Sequence, residues 1–294
     1  MAENEVFQQD LSHSEQSSVV FVLKLLFKEP VTMPDRETMT AVMQRHVGDI
    51  DCFWHDDKGA GFAAKKYLAE FKDAKLPPQL MVTSCTPFDG SKIDTFQRSQ
   101  MWDCREDKDR ILDECKYAVF ANDMMAAVLS SKERAMLDMD FLEALVEMYP
   151  TCEAVLVHSS GKLLRPETVL AYQGDPMDRF INFAVNARFF NIQNSADMIV
   201  DTLGMSTVFF PDLQYHFHGM DPNWVVNHAY GVASYILAND NPIKNGDPID
   251  SVVNGRFNQD ILWKCQYEES LIQPARPVID IFMNEYAAGN REPQ

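Results

Sequence analysis

The stretch PDLQYHFHGMDPNWVVNH, residues 211–228, carries three histidines and two aspartates. Imidazole and carboxylate groups are the donors that hold zinc and similar divalent metals. On an extended strand successive side chains alternate between faces. His216 and His218 therefore point the same way and reach one ion, with Asp221 as the third candidate ligand. That set would serve a metal-dependent hydrolase. Two features oppose it. Asp221 stands directly before Pro222, the position of a helix N-cap whose carboxylate accepts backbone N–H bonds. In the helix that follows, Val225, Val226, Ala229, Tyr230, Ala233, Ile236 and Leu237 form one apolar arc. His228 falls off it, beside Asn227, Gly231 and Tyr235, and is expected to face away from the packed side. The leading expectation is a half-buried strand with Leu213, Tyr215 and Phe217 inward and Gln214, His216 and His218 toward water. No H-E-x-x-H signature accompanies it.

Other candidates are weaker. Gly59-Ala60-Gly61-Phe62-Ala63-Ala64 has the form G-x-G-x-x-A between a strand and an expected helix, the pattern of a dinucleotide turn. Asp56 and Asp57 precede it and would repel a pyrophosphate. Cys85 ends an expected strand, where nucleophiles are displayed, but no histidine is identifiable as its base. Carboxylate pairs such as Asp49/Asp51 and Glu268/Glu269 have the chemistry of acid–base catalysis. In a chain with 44 acidic residues such pairs arise by chance. No catalytic set assembles and no cofactor is required.

The elements that would position these groups alternate irregularly. Val19–Phe27 reads as a strand. A helix is expected from Thr32 as N-cap to Gly48, then a strand at Ile50–His55, a helix over Gly61–Ala74 and a strand at Gln79–Cys85. A helix ends near Cys115, and the strand Tyr117–Asn122 follows. Ser130 and Glu133 have capping-box spacing ahead of a helix with Phe141, Leu145 and Met148 on one face. A strand follows over Glu153–Val157. FINFAVNARFFNI, ADMIVDTLG, STVFF and LQYHFHG read as mostly strand, Asp221–Asp240 as helix, and two closing strands end the series. Roughly equal helix and strand in irregular order predict an α+β fold: mixed or antiparallel sheets with packed helices, in two subdomains. The expected divisions are a flexible acidic tail at 1–17, an N-terminal subdomain at 18–172, a C-terminal subdomain at 173–286 and a tail at 287–294. The turn-rich YQGDPMDRF, from Tyr172, marks the boundary.

Within Ala196–Asp250 the succession D-T-L-G, P-D-L-Q before a strand, D-P opening a helix and an N-G-D-P turn resembles the DUF4261 family, a domain of unknown function. The helix around Met139–Val146 and the following AVLVHSSGKLLRPE extend the likeness more weakly. The resemblance implies a bacterial, cytoplasmic α+β protein with no assigned activity, so it transfers no catalytic residue.

Charge narrows the classes further. The chain has 26 basic and 44 acidic residues in 294, a net charge of −18. Phosphate backbones and anionic membrane surfaces repel such a chain, whereas a basic protein is steered toward it. Nucleic-acid and membrane partners are therefore not expected, and a protein partner is. Six cysteines without a C-x-x-C pair read as buried thiols of a reducing compartment. The N-terminus has no apolar signal segment, so a cytoplasmic location is expected. The expectation is a non-enzymatic interaction protein, with a toxin-immunity-like role as its sharper form. The alternative is the divalent-metal hydrolase built on His216 and His218.

Overall fold

The computed structural model describes residues 6–10 and 20–289. Most of the expected 1–17 and 287–294 tails lies outside the described residues, as does Val19. The chain divides into two compact units, one of Val19–Ala184 and one of Val185–Gln294 with Met1–Ser18. The division follows a helix that ends at Ala184, so the turn-rich stretch after Tyr172 lies inside the first unit.

The first unit is built on an antiparallel sheet. Its strands are β1 (Val22–Phe27), β2 (Ile50–His55), β3 (Gly59–Ala64), β6 (Gln79–Thr83), β8 (Tyr117–Met124), β9 (Ala154–Val157) and β10 (Lys162–Leu164), in the order β10-β9-β1-β8-β6-β3-β2. The short β7 (Thr86–Pro87) pairs with β8, and β4 (Ala69–Glu70) pairs with β5 (Lys75–Leu76) as a separate ribbon. The helices are α1 (Arg36–His46), α2 (Thr95–Ser99), α3 (Lys108–Glu114), α4 (Ser131–Met148), α5 (Pro166–Leu170) and α6 (Asp178–Ala184).

Strand β1 is buried on both faces. Leu26 joins Ile111, Leu112, Cys115, Ala118 and Leu163 in one cluster, while Leu23, Leu25 and Phe27 are also buried. Helix α4 carries the expected capping box: the Glu133 N–H donates to Ser130 Oγ, and the Ser130 N–H to Glu133 Oε2. Phe141, Leu145 and Met148 are all buried.

Three local expectations fail here. Helix α1 is capped by Asp35, which accepts from the Thr38 N–H at 2.8 Å, and not by Thr32. The residue before a proline is held out of the helical region, so no helix starts ahead of Pro34. Residues 59–64 form β3 and no helix follows, which removes the dinucleotide turn. Its glycines serve close packing: a Cβ at Gly61 would stand 2.5 Å from the Phe53 ring, and one at Gly59 2.5 Å from the Val82 carbonyl. The apolar run FINFA is α6, not strand. It is anchored by Arg179, which donates to Asp140 and Glu143 of α4 at 2.8 Å each.

The second unit is a mixed sheet with one long helix. Strands β11 (Asn186–Asn191), β12 (Met198–Leu203), β13 (Asp212–Phe217), β14 (Pro248–Val253), β15 (Arg256–Glu269) and β16 (Pro277–Phe282) run in the order β11-β12-β13-β16-β15-β14. Only the β13–β16 pairing is parallel. Helix α7 (Pro222–Ala238) packs on β11, β12, β13 and β14. The expected strand STVFF, residues 206–210, instead opens in a 3-10 turn over Met205–Val208. Thr207 Oγ1 donates to the Gly204 carbonyl at 2.6 Å, a local bond that competes with strand pairing. β14 and β15 are joined by Asn254-Gly255, both at positive φ (51° and 75°), as a two-residue hairpin requires. The whole chain is α+β, and among the described residues no helix is long and apolar enough to cross a membrane.

Candidate functional site

The histidine stretch spreads its donors apart. Leu213, Tyr215 and Phe217 are buried as expected, but the opposite face of β13 is not a solvated polar face. Gln214 is fully buried: its Nε2 donates to Asp280 at 2.9 Å and its Oε1 accepts from the Leu271 N–H at 2.7 Å. His216 is half-buried, 3.9 Å from Asp197 Oδ2, with the backbone of Gly289 against its ring. His218 lies beyond the end of β13, where its backbone N–H donates to the Tyr286 carbonyl. Asp221 caps α7 and accepts from the Asn223 N–H at 2.9 Å.

His228 contradicts its expected outward position. It is 1% exposed, with the Phe257 ring tilted against it and the Trp263 ring meeting it edge-on. The helix buries His228 and Val232 as well as Val225, Ala229, Ala233, Ile236 and Leu237 of the expected arc, so its packed face is displaced from the arc toward His228. His228 Nδ1 meets the Tyr215 hydroxyl at 2.9 Å, and Nε2 meets the Asp250 carbonyl at 2.8 Å. A carbonyl only accepts, so Nε2 carries the proton and Nδ1 accepts from Tyr215. Both nitrogens are occupied, leaving no lone pair for a metal or a substrate proton. Burial pushes the imidazole down to about 4, so it is neutral at physiological pH. Tyr215 and His216 are neighbours on a strand and face opposite ways. His228 therefore approaches the face of β13 that His216 leaves. Among the described residues no three His, Cys, Asp or Glu side chains are placed to hold a metal ion.

A second polar cluster, absent from the sequence reading, lies inside the same unit. Asp201 on β12 accepts from Arg188 Nε at 2.8 Å and from Arg276 Nη2 at 2.6 Å. Arg276 Nε also donates to Asp212 at 3.1 Å, and Asp212 accepts from the Thr202 hydroxyl at 3.0 Å. The remaining guanidinium donors reach the carbonyls of Thr202, Ile272, Pro274 and Gln273. All four charged groups are buried. Burial opposes ionisation of Asp201, but Arg188 and Arg276 outweigh it and hold the carboxyl below its usual range. Asp212 is pushed up, mainly by burial, against the single charge of Arg276. The cluster stitches the 272–276 segment to the ends of β12 and β13. Its donors and acceptors are spent on one another, which is the signature of a structural network rather than a reactive one.

One small hollow opens beside this unit's hairpin, with a volume of ≈ 200 Å³. Trp224, Trp263, Tyr286, Ile261 and Met220 line it together with Glu285. The Trp224 indole lies over Gly255, where a Cβ would come within 3.2 Å of the ring. Ser251 also borders the hollow, and its buried hydroxyl has no hydrogen-bond partner. In the first unit a wider hollow of ≈ 330 Å³ is bordered by Phe27, Lys28, Pro30 and Glu153. There Lys28 is paired with Glu114 at 2.9 Å and Glu153 at 3.7 Å.

The remaining candidates stay apart. Asp49 and Asp51 are exposed, and Asp49 pairs with Lys65. Glu268 and Glu269 are consecutive on β15 and point to opposite faces. Cys85 is half-buried and the other five cysteines are buried, all six as free thiols. Burial pushes Cys104, Cys152 and Cys265 up to about 12, so none is a ready thiolate.

With this geometry in hand, comparison with known proteins gives one match. Residues 201–282 match the family model described as Domain of unknown function (DUF4261). No curated protein and no solved structure matches the chain. The DUF4261 segment begins at Asp201 and ends at Phe282, the last residue of β16. It contains Asp201, Thr202, Asp212, Gln214, Arg276 and Asp280, all buried and hydrogen-bonded. The D-T-L-G and P-D-L-Q runs of the DUF4261 segment therefore supply the polar interior of the sheet. Asp201 follows the apolar run Met198-Ile199-Val200 on β12, the one signal that points to the cluster from sequence.

Proposed function

We propose that the protein is a non-enzymatic interaction module that binds a basic protein partner through its acidic surface, with an immunity-like role as the specific form. The observation that carries this reading is where the charge lies. Among the described residues six buried carboxylates (Asp123, Asp138, Asp140, Asp201, Asp212, Asp280) stand against five buried cations (Arg134, Lys162, Arg179, Arg188, Arg276). The buried charges nearly balance, so most of the net −18 belongs to residues that meet solvent. Such a surface raises the association rate of a cationic partner and repels polyanions. The buried imidazole and the buried carboxylate–guanidinium network are both satisfied internally, which also favours binding over catalysis. Five buried free thiols suit a reducing compartment, and the cytoplasm is the location this reading takes.

The test is direct. Anisotropy of a fluorescently labelled, acetylated hexalysine peptide is followed against the full chain at low and at physiological salt. Saturable binding that weakens steeply with salt is expected, with no binding of a hexaglutamate peptide. Absence of hexalysine binding at low salt would remove the reading.

A further inference from the structure

We propose that the hollow lined by Trp224, Trp263 and Tyr286, with Glu285 among its borders, is a pocket for one cationic side chain, a lysine or arginine of the basic protein partner. This rests on the interaction reading above and deepens it by naming the anchor.

Size comes first. At ≈ 200 Å³ the hollow falls below the ~300 Å³ at which pockets for cofactors and drug-sized ligands begin, so it takes a single side chain. Chemistry comes second. The half-buried Trp224 indole and Tyr286 phenol border it, with the buried Trp263 beside them, and aromatic faces attract ammonium and guanidinium groups through their quadrupoles. Glu285 adds a full negative charge, and no cationic residue is among those lining the hollow. A lysine stem would lie along Ile261 and Met220 while its ammonium meets the rings and the carboxylate. Position comes third. Val253, Phe257, Ile261 and Leu262 of the β14–β15 hairpin are all exposed beside or near the hollow, and β14 is an edge strand of its sheet. This gives an apolar surround of the kind that excludes water from a charged anchor. The net charge of −18 selects the sign of the partner.

The pocket is also held from below. Trp224 sits in the first turn of α7, whose start is fixed by the Asp221 cap and Pro222. Its ring rests on Gly255, the second positive-φ residue of the hairpin turn, which brings helix and hairpin together around the hollow.

The experiment compares four full-length proteins in the hexalysine anisotropy assay at low salt: wild type, Trp224→Ala, Glu285→Gln and Asp73→Asn. Asp73 is an exposed carboxylate in the other unit, so D73N removes the same unit of charge away from the hollow. W224A and E285Q are each expected to weaken binding about five-fold or more, and D73N to leave it within two-fold. E285Q alters one exposed side chain, so its result holds even if W224A fails to fold. If wild type binds hexalysine and all three variants bind equally, the pocket assignment is overturned while the acidic-surface reading stands. If wild type binds no hexalysine, both fall. A hexaglutamine peptide that binds wild type as well as hexalysine, and is lost in W224A, would show an uncharged ligand and overturn the cationic assignment.

Discussion

The Tyr215 hydroxyl and His228 Nδ1 lie 2.9 Å apart, joining β13 to α7 inside the C-terminal unit. The bond fixes the imidazole as a neutral acceptor on one side while Nε2 donates to Asp250 on the other. Burial lowers the His228 pKa to about 4 from the ordinary 6.5. The folded state thus takes up this proton less readily than the unfolded chain. The stability it protects is intact above pH 6.5 and is lost as pH falls from 6.5 toward 4. The loss over that window is about 3 kcal/mol. Urea denaturation at half-unit pH steps should show the decline. H228L should be less stable at pH 7, because Tyr215 and Asp250 lose their partner, yet flatter between pH 6.5 and 4. Equal slopes in the two proteins would mean that His228 is not the titrating group.

Asp201 and Arg276 are 75 residues apart in sequence and 2.6 Å apart in space. Removing one member of a buried charged network strands the rest. D201A should therefore cost about 3–5 kcal/mol in chemical denaturation. D212N should cost less, because burial already pushes the Asp212 carboxyl up and Arg276 is the one cation that opposes it. Equal losses in the two variants would contradict the ranking of the two carboxylates.

Asp138 presents the opposite case in the first unit. Both its oxygens are buried without a hydrogen-bond partner, and Arg134 Nε stands 3.9 Å away while bonding Asp123. Burial, and then the charge of Asp123, raise the Asp138 pKa well above the usual carboxylate range. The folded state holds this proton more tightly than the unfolded chain. Its stabilising effect is complete below the ordinary carboxyl pKa and declines as pH rises through the raised value. The difference in stability between D138N and wild type should grow in favour of D138N from pH 4 to 7. A constant difference across that range would show Asp138 to be ionised throughout.

Zinc offers a fourth check. A site on His216, His218 and Asp221 would stabilise the protein when filled, by an amount set by metal concentration over Kd. Asp221 is occupied as a cap and His218 lies past the strand end. One equivalent of zinc should therefore leave the thermal midpoint unchanged in wild type and in the H216A/H218A double variant. A rise in wild type that disappears in the double variant would restore the hydrolase alternative.

The local signals that were legible share a short range. The Ser130–Glu133 capping box, Asp221-Pro222 at the head of α7 and the apolar spacing of Phe141, Leu145 and Met148 are each decided within a few residues, and each appears in the structure. The Asn254-Gly255 turn is equally local, a two-residue hairpin signal between the β14 and β15 strands. One failure came where partners were distant. Residues 59–64 became a strand because β2 and β6 flank them on both sides. Those pairings outweigh the helix propensity of an alanine pair.

Composition, charge and short-range spacing in this chain determined the α+β class, the net negative charge and the starts of α4 and α7, because propensity and capping act between neighbours along the backbone. The face on which His228 lies, the Arg188–Asp201–Arg276–Asp212 network and the Trp224–Trp263–Tyr286 hollow were decided only by tertiary structure. Each joins residues that the sequence separates widely, and burial makes a polar group depend on whichever partner the fold brings within hydrogen-bond reach.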